Sequence, residues 1–171
     1  MSDQLRPAPA FALTHLTGRP VALSDYKGRP IVLVVGGRNS ADEAGRIGRA
    51  VAARYTPDRL LVVAVLHILG VPRLMRGVAK TQIKKMYDET VREAAATLAA
   101  AGATLPADPS QVVVWLPDWD GAVARAYGLG DVDRQAVAVL IDAGGTIRGT
   151  ASGVGAGDRI VTLAAALTPP L

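Results

Sequence analysis

Pro30-Ile31-Val32-Leu33-Val34-Val35-Gly36-Gly37-Arg38-Asn39-Ser40-Ala41-Asp42-Glu43 is the stretch that decides the fold. Its first half is short, apolar and rich in β-branched residues, the pattern of a strand buried on both faces, and Gly36-Gly37 ends it. Ser40 with Glu43 three residues on has the spacing of a capping box, so a helix is expected at once, carried by Ile47, Val51 and Tyr55 as far as Pro57.

Working outward, Leu60 to Leu66 repeats the buried-strand pattern. After the break at Gly70-Val71-Pro72, residues 71–102 read as a long helical segment in which Gly77 is a point of interruption. Gln111 to Trp115 reads as a third strand, Ala122 to Tyr127 as a short helix and Val137 to Ile141 as a fourth strand. Asp142-Ala143-Gly144-Gly145 is a hairpin turn into Thr146 to Arg148, and a last helix covers about Asp158 to Leu167. On the N-terminal side, Phe11, Leu13 and Leu16, a turn at Thr17-Gly18-Arg19-Pro20, then Val21 to Leu23 form a hairpin signal, making residues 1–29 an extension. Strands alternating with helices and ending in a hairpin predict one α/β domain over residues 1–171, a central mixed sheet flanked by helices.

Composition narrows the chemistry. Half of the 171 residues are hydrophobic and only seven are aromatic, so the core is built from Val, Leu, Ile and Ala. The absence of cysteine excludes disulfides, thiolate metal sites and any reaction in which this chain supplies the thiol. Two histidines, His15 and His67, leave acid–base chemistry mostly to carboxylates. No apolar run is long enough to span a membrane. Met1 to Pro7 lacks a basic start followed by an apolar stretch, so no secretory leader is read and a cytoplasmic location is expected. Residues 72–92 carry six basic and two acidic side chains, residues 93–171 four and eight. That segregation argues against a general nucleic-acid binder.

Three phrases in register carry a family likeness. Pro7-Ala8-Pro9-Ala10-Phe11-Ala12-Leu13 with Gly18-Arg19-Pro20-Val21-Ala22-Leu23-Ser24-Asp25-Tyr26-Lys27-Gly28-Arg29-Pro30-Ile31-Val32-Leu33-Val34 resembles the opening of the redoxins, the peroxiredoxin group (alkyl hydroperoxide reductase and thiol-specific antioxidant) and its thioredoxin-like relatives. Asp118 to Leu129 and Val137 to Ile147 resemble later phrases of the same family. The resemblance implies a thioredoxin-like fold with an N-terminal hairpin extension and a helical insertion after the second core strand. It implies an antioxidant or oxidoreductase ancestry too. Here Ser40 stands where the relatives carry the first Cys of Cys-x-x-Cys or the Thr of Thr-x-x-Cys, and Glu43 where they carry the second Cys. Ala136 replaces the cis-proline or arginine that completes the site, and Arg134 lies two positions early. Thiol chemistry needs a thiolate, which a hydroxyl and a carboxylate do not replace.

Several residues remain as candidates. Gly36, Gly37, Arg38, Asn39, Ser40 and Glu43 join a strand to a helix N-terminus, where amides and the helix dipole favour a small anion; His67 ends the neighbouring strand. Against this, Ser40 and Glu43 suffice as a helix cap. A non-thiol catalytic site of Ser40, Glu43 and Arg38, with His67 as base, is the alternative. Asp118, Asp120, Asp131 and Asp133 fall in two loops where a hard cation could be held, but Asp120 reads as a helix cap and Asp131 and Asp133 as turn residues, so no metal and no cofactor is expected. Arg73, Arg76, Lys80, Lys84 and Lys85 recur at helical spacing and form a candidate surface for a protein partner, a second copy or an anionic membrane face, with a solvated helix face as the plain reading. The expectation is a non-redox binding or interaction module working through the former active-site loop.

Overall fold

A computed structural model describes residues 5–171, and its strands follow from alternation along each apolar run. Eight strands, β1 (Arg6–Pro7), β2 (Ala12–Thr14), β3 (Pro20–Ala22), β4 (Ile31–Gly36), β5 (Leu61–His67), β6 (Val114–Asp118), β7 (Val137–Ile141) and β8 (Thr146–Ser152), are joined by four α-helices, α1 (Ala41–Ala52), α2 (Arg76–Ala100), α3 (Ala122–Tyr127) and α4 (Ala156–Ala164). Six strands form one mixed sheet in the order β1-β8-β7-β4-β5-β6, while β2 and β3 pair separately. β4 lies parallel to β5, with Ile31 opposite Leu61, and antiparallel to β7, with Ile31 opposite Ile141. β6 is parallel to β5 at the edge. The ends of β4, β5 and β6 therefore share one rim of the sheet, the place where open α/β sheets bind ligands.

Every residue of β4 is buried, and its two faces feed two cores. Ile31, Leu33 and Val35 join Phe11, Leu61, Val63, Val65, Leu116 and Tyr127. Val32 and Val34 face Ile47 and Val51 of α1 and Ile160 of α4. The approach of α1 to α4 depends on Gly157, where an added Cβ would lie 2.6 Å from that of Ala50. At the free edge of β6, Leu16 donates its N–H to the Trp115 carbonyl at 3.0 Å, so the chain after β2 covers part of an open ladder.

α2 is attached differently. Only Tyr87 and Leu98 of its residues are buried. Tyr87 sits edge-on between His15 and Trp115, at ring centroid distances of 5.4 and 5.8 Å. Burial of its phenol, with Asp108 and Asp88 nearby, pushes the Tyr87 pKa up to about 12.

Several sequence expectations shift, the first being that α1 ends at Ala52 rather than running as far as Pro57. The third strand begins at Val114 rather than Gln111, because Asp108 accepts the Ser110 N–H and turns Pro109–Gln111 into a 3₁₀ helix. Within residues 71–102, the α-helix starts only at Arg76, after a 3₁₀ turn at Arg73–Met75, and Gly77 does not interrupt it. The strand after the hairpin turn runs to Ser152 rather than Arg148, and Ala156 opens the last helix. Of the N-terminal extension, residues 1–4 lie outside the described residues, and Arg6–Pro7 adds an edge strand to the main sheet that the sequence did not signal.

Candidate functional site

The loop between β4 and α1 is tied down from both ends. Ser40 is 2 % exposed. Its hydroxyl donates to the Val132 carbonyl at 2.6 Å and accepts the Gly37 N–H at 3.0 Å. The capping box is thus not formed: Ser40 makes no side-chain cap bond, and Glu43 reaches across to accept the Ala136 N–H at 2.8 Å. The spacing is right for a cap, but a second loop, residues 130–136, competes for the same side chains. It offers the buried Val132 carbonyl, which also accepts the Gly37 N–H at 3.2 Å, and the Ala136 amide, which Glu43 alone satisfies, and an unmet buried amide costs more than an unmade cap.

Asp133 closes the outside of the loop. It accepts the Asn39 amide N–H at 3.3 Å and the Asn39 side-chain N–H at 2.6 Å. Gly37 has no room for a side chain, since an added Cβ would lie 2.2 Å from Asp133 Oδ1. A carboxylate of the chain itself therefore occupies the place beside the loop amides that an anion would take. Arg38 is exposed and makes no hydrogen bond among the described residues. Among the candidates, the structure brings Gly37, Asn39, Ser40 and Glu43 into one hydrogen-bonded unit with Val132, Asp133 and Ala136, sets Gly36 close beside the Ser40 hydroxyl, and leaves Arg38 outside. Sequence reading takes Asp133 for a turn residue and misses its role as the partner of Asn39 in this loop.

His67 ends β5 and packs against the next loop. Its Cε1 lies 2.8 Å from where a Gly121 Cβ would stand, which, with the left-handed φ of +66°, makes glycine necessary there. Its Nδ1 is buried without a hydrogen-bond partner among the described residues. The Ser40 hydroxyl is bonded to Val132 and Gly37, not to an imidazole, so the nucleophile–base pair is not assembled.

The carboxylates serve the backbone. Asp118, 1 % exposed, accepts the Ala122 N–H at 3.1 Å and the Val123 N–H at 2.9 Å, so it caps α3 where Asp120 was expected to. Asp120 instead pairs with Arg76 at 3.4 Å, and Asp131 accepts the Arg134 N–H.

On α2 the basic side chains divide. Arg76 does not belong to an outward surface: it lies over the Trp119 ring at 5.2 Å and turns to Asp120. Its position in the helical repeat matches Ala79, Ile83 and Tyr87, which face the body. Lys84 pairs with Asp88 at 2.9 Å, one turn on. Arg73, Lys80 and Lys85 are exposed and unpaired among the described residues. Beside them stand apolar side chains that are also exposed: Leu74 is 96 % exposed, and Leu69, Met75 and Val78 are each more than half exposed.

No family model matches the chain, and no curated protein does. Solved structures do. The exposed lipoprotein thioredoxin Etrx1 of Streptococcus pneumoniae superposes with a TM-score of 0.61 at 19% identity, over 92% of this chain and 99% of that one. A putative thiol:disulfide interchange protein DsbE from Chlorobium tepidum gives 0.62 at 21% identity, over 98% and 99%. A DsbF homologue from Corynebacterium diphtheriae gives 0.61 at 14% identity, over 98% and 90%. The chain thus has a thioredoxin-like fold, a mixed sheet flanked by helices. It has that fold with no cysteine to perform the exchange those names describe.

Proposed function

We propose that this thioredoxin-fold chain performs no thiol redox chemistry and acts as a binding module at the rim where β4, β5 and β6 end. The observation that carries the reading is the state of Ser40 and Glu43. By the sequence resemblance both stand where the family carries its thiols, and both are spent in hydrogen bonds to Val132 and Ala136. A group held as acceptor and donor by the backbone is a structural strut, with no base beside it to make it a nucleophile. Within the redoxins, the order of the three sequence phrases is what supports descent from the peroxiredoxin-like branch. The same rim carries exposed Arg38, half-buried His67 and the exposed start of α2, a surface suited to a partner rather than to turnover.

The test is a pair of assays on the full chain: reduction of insulin disulfides with dithiothreitol as electron source, and peroxide consumption with thioredoxin as reductant. Rates equal to those of a heat-denatured control are expected. Turnover above that control, lost in Glu43→Gln, would instead establish the non-thiol enzyme.

A further inference from the structure

We propose that residues 69–86, the loop after β5 and the first half of α2, dock the protein on an anionic lipid surface. The inference rests on the binding-module reading above and names the partner of that rim.

Charge is the first support. Residues 69–87 contain Arg73, Arg76, Lys80, Lys84 and Lys85 and no acidic residue at all. A helix N-terminus favours carboxylates and disfavours cations, yet the first turn of α2 holds none of the former, and Arg73 and Arg76 frame it. The arrangement works against helix stability; Asp120 and Trp119 offset it for Arg76, and no partner among the described residues offsets it for Arg73. Arg76 has Asp120 as partner, and Lys84 has Asp88. Arg73, Lys80 and Lys85 are left facing solvent.

The apolar side chains identify which anionic surface fits. Leu69, Leu74, Met75 and Val78 fall within ten residues and are 57, 96, 51 and 53 % exposed, with Met86 at 53 % two turns further along. Protruding leucine and methionine gain from hydrocarbon, which a bilayer boundary offers and a phosphate backbone does not. Nucleic acid would call for accessible aromatics to stack on bases, but Tyr87 is 4 % exposed and engaged with His15 and Trp115. Inward, Ala79, Ile83 and Tyr87 hold the helix to the body, so the outward half is free to meet a surface without unfolding. Lysines flanking a short apolar stripe match an anionic headgroup layer over an acyl layer, each cation near the surface adding attraction.

The experiment is co-sedimentation of the full-length protein with vesicles of phosphatidylcholine alone and of phosphatidylcholine mixed with phosphatidylglycerol. Pelleting with the anionic vesicles only is expected. Leu74→Ser should weaken it roughly tenfold or more, as a lost leucine anchor does. Lys80→Ala with Lys85→Ala should weaken it roughly thirtyfold. Both sites are exposed, so circular dichroism and thermal melting should be unchanged. No pelleting with either vesicle, equal pelleting with phosphatidylcholine alone, or unaltered binding by both variants would overturn the proposal. So would a Leu74→Ser variant that halves the solution mass of the free protein, which would assign the face to a second copy. So too would retention on duplex DNA with no vesicle binding. These results are independent of insulin and peroxide turnover, so failure here leaves the non-redox reading standing, and turnover there leaves the lipid result readable.

Discussion

α1 and α2 both follow a parallel strand of one sheet, yet they are held in unlike ways. α1 presses Ile47 and Val51 into a core shared with α4, and the loop at its start is stitched to residues 132–136 through Ser40, Glu43 and Asn39. α2 is twice as long and buries two residues. What a thioredoxin-like fold ordinarily leaves reactive is here built as structure, and what is left free is the insertion. The proposed docking face and the β4–α1 loop thus lie apart along the same rim.

The sharpest way to break that contrast is at the helix contact. Gly157→Val would drive methyl groups into Ala50 and Ile47, whose atoms already lie within 2.6 and 3.5 Å of an added Cβ. Overpacking of this kind is expected to cost about 3 kcal/mol, read as a lower midpoint in urea unfolding. An equal midpoint would mean that α4 is not tightly fixed on α1.

Next in size is the strut. Ser40→Ala removes a buried donor–acceptor pair and leaves the Val132 carbonyl without that partner, at an expected cost of about 1–2 kcal/mol in the same unfolding measurement. Slower amide exchange at Gly37 than at Arg38 in the parent, lost in the variant, would tie the effect to this loop.

These two predictions also mark how much was legible in the sequence. Buried strands declared themselves through Ile31–Val35 and Leu61–Leu66, because a run with apolar residues at both parities has few other homes. The family likeness placed Ser40 and Glu43 at the thiol positions. The partner of each was not legible, since Val132 and Ala136 lie some ninety residues away and offer only backbone groups, which leave no mark in composition. Asp118 and Asp120 illustrate the same limit: either could cap α3 from sequence, and the choice follows from Arg76 drawing Asp120 outward. Arg76 itself could be separated from Lys80 only by the helical phase set by Tyr87. The exposure of Leu74 and Met75 was invisible for a simpler reason, that an apolar residue at helical spacing reads as core until the helix is seen to stand off the body.

A smaller effect is expected from pH, at the anchor of α2. His15, 1 % exposed, donates from Nε2 to the Val113 carbonyl at 3.0 Å and accepts the Thr17 N–H on Nδ1 at 3.0 Å, which fixes it neutral. Burial lowers its pKa below the ordinary value of 6.5, outweighing the Val113 hydrogen bond that raises it. The unfolded chain therefore takes up this proton first. Stability is complete above about pH 6.5 and falls as pH drops from there to the lower folded pKa, by the uptake of one proton. His15→Gln should be less stable at neutral pH and should flatten that part of the profile. A parent profile level between pH 7 and 5 would refute the neutral assignment.

The least effect, opposite in sign, belongs to Gly77. It lies in the second position of α2, with nothing within 4 Å of an added Cβ, and its φ is outside the left-handed region. Gly77→Ala should therefore stabilise the protein by up to about 1 kcal/mol, through the helix and the lost freedom of the unfolded chain, without any new contact. Where a helix is fastened along its whole length, that gain appears in global unfolding. Where its first half also opens on its own, the gain appears in addition as slower amide exchange confined to residues 76–86. The second result is the one expected here, because the buried anchors Tyr87 and Leu98 both lie beyond that half, which is held only by half-buried Ala79 and Ile83 and by the contact of Arg76 with Asp120 and Trp119. A gain seen only in the global midpoint would make α2 as firmly fixed as α1 and end the contrast between them.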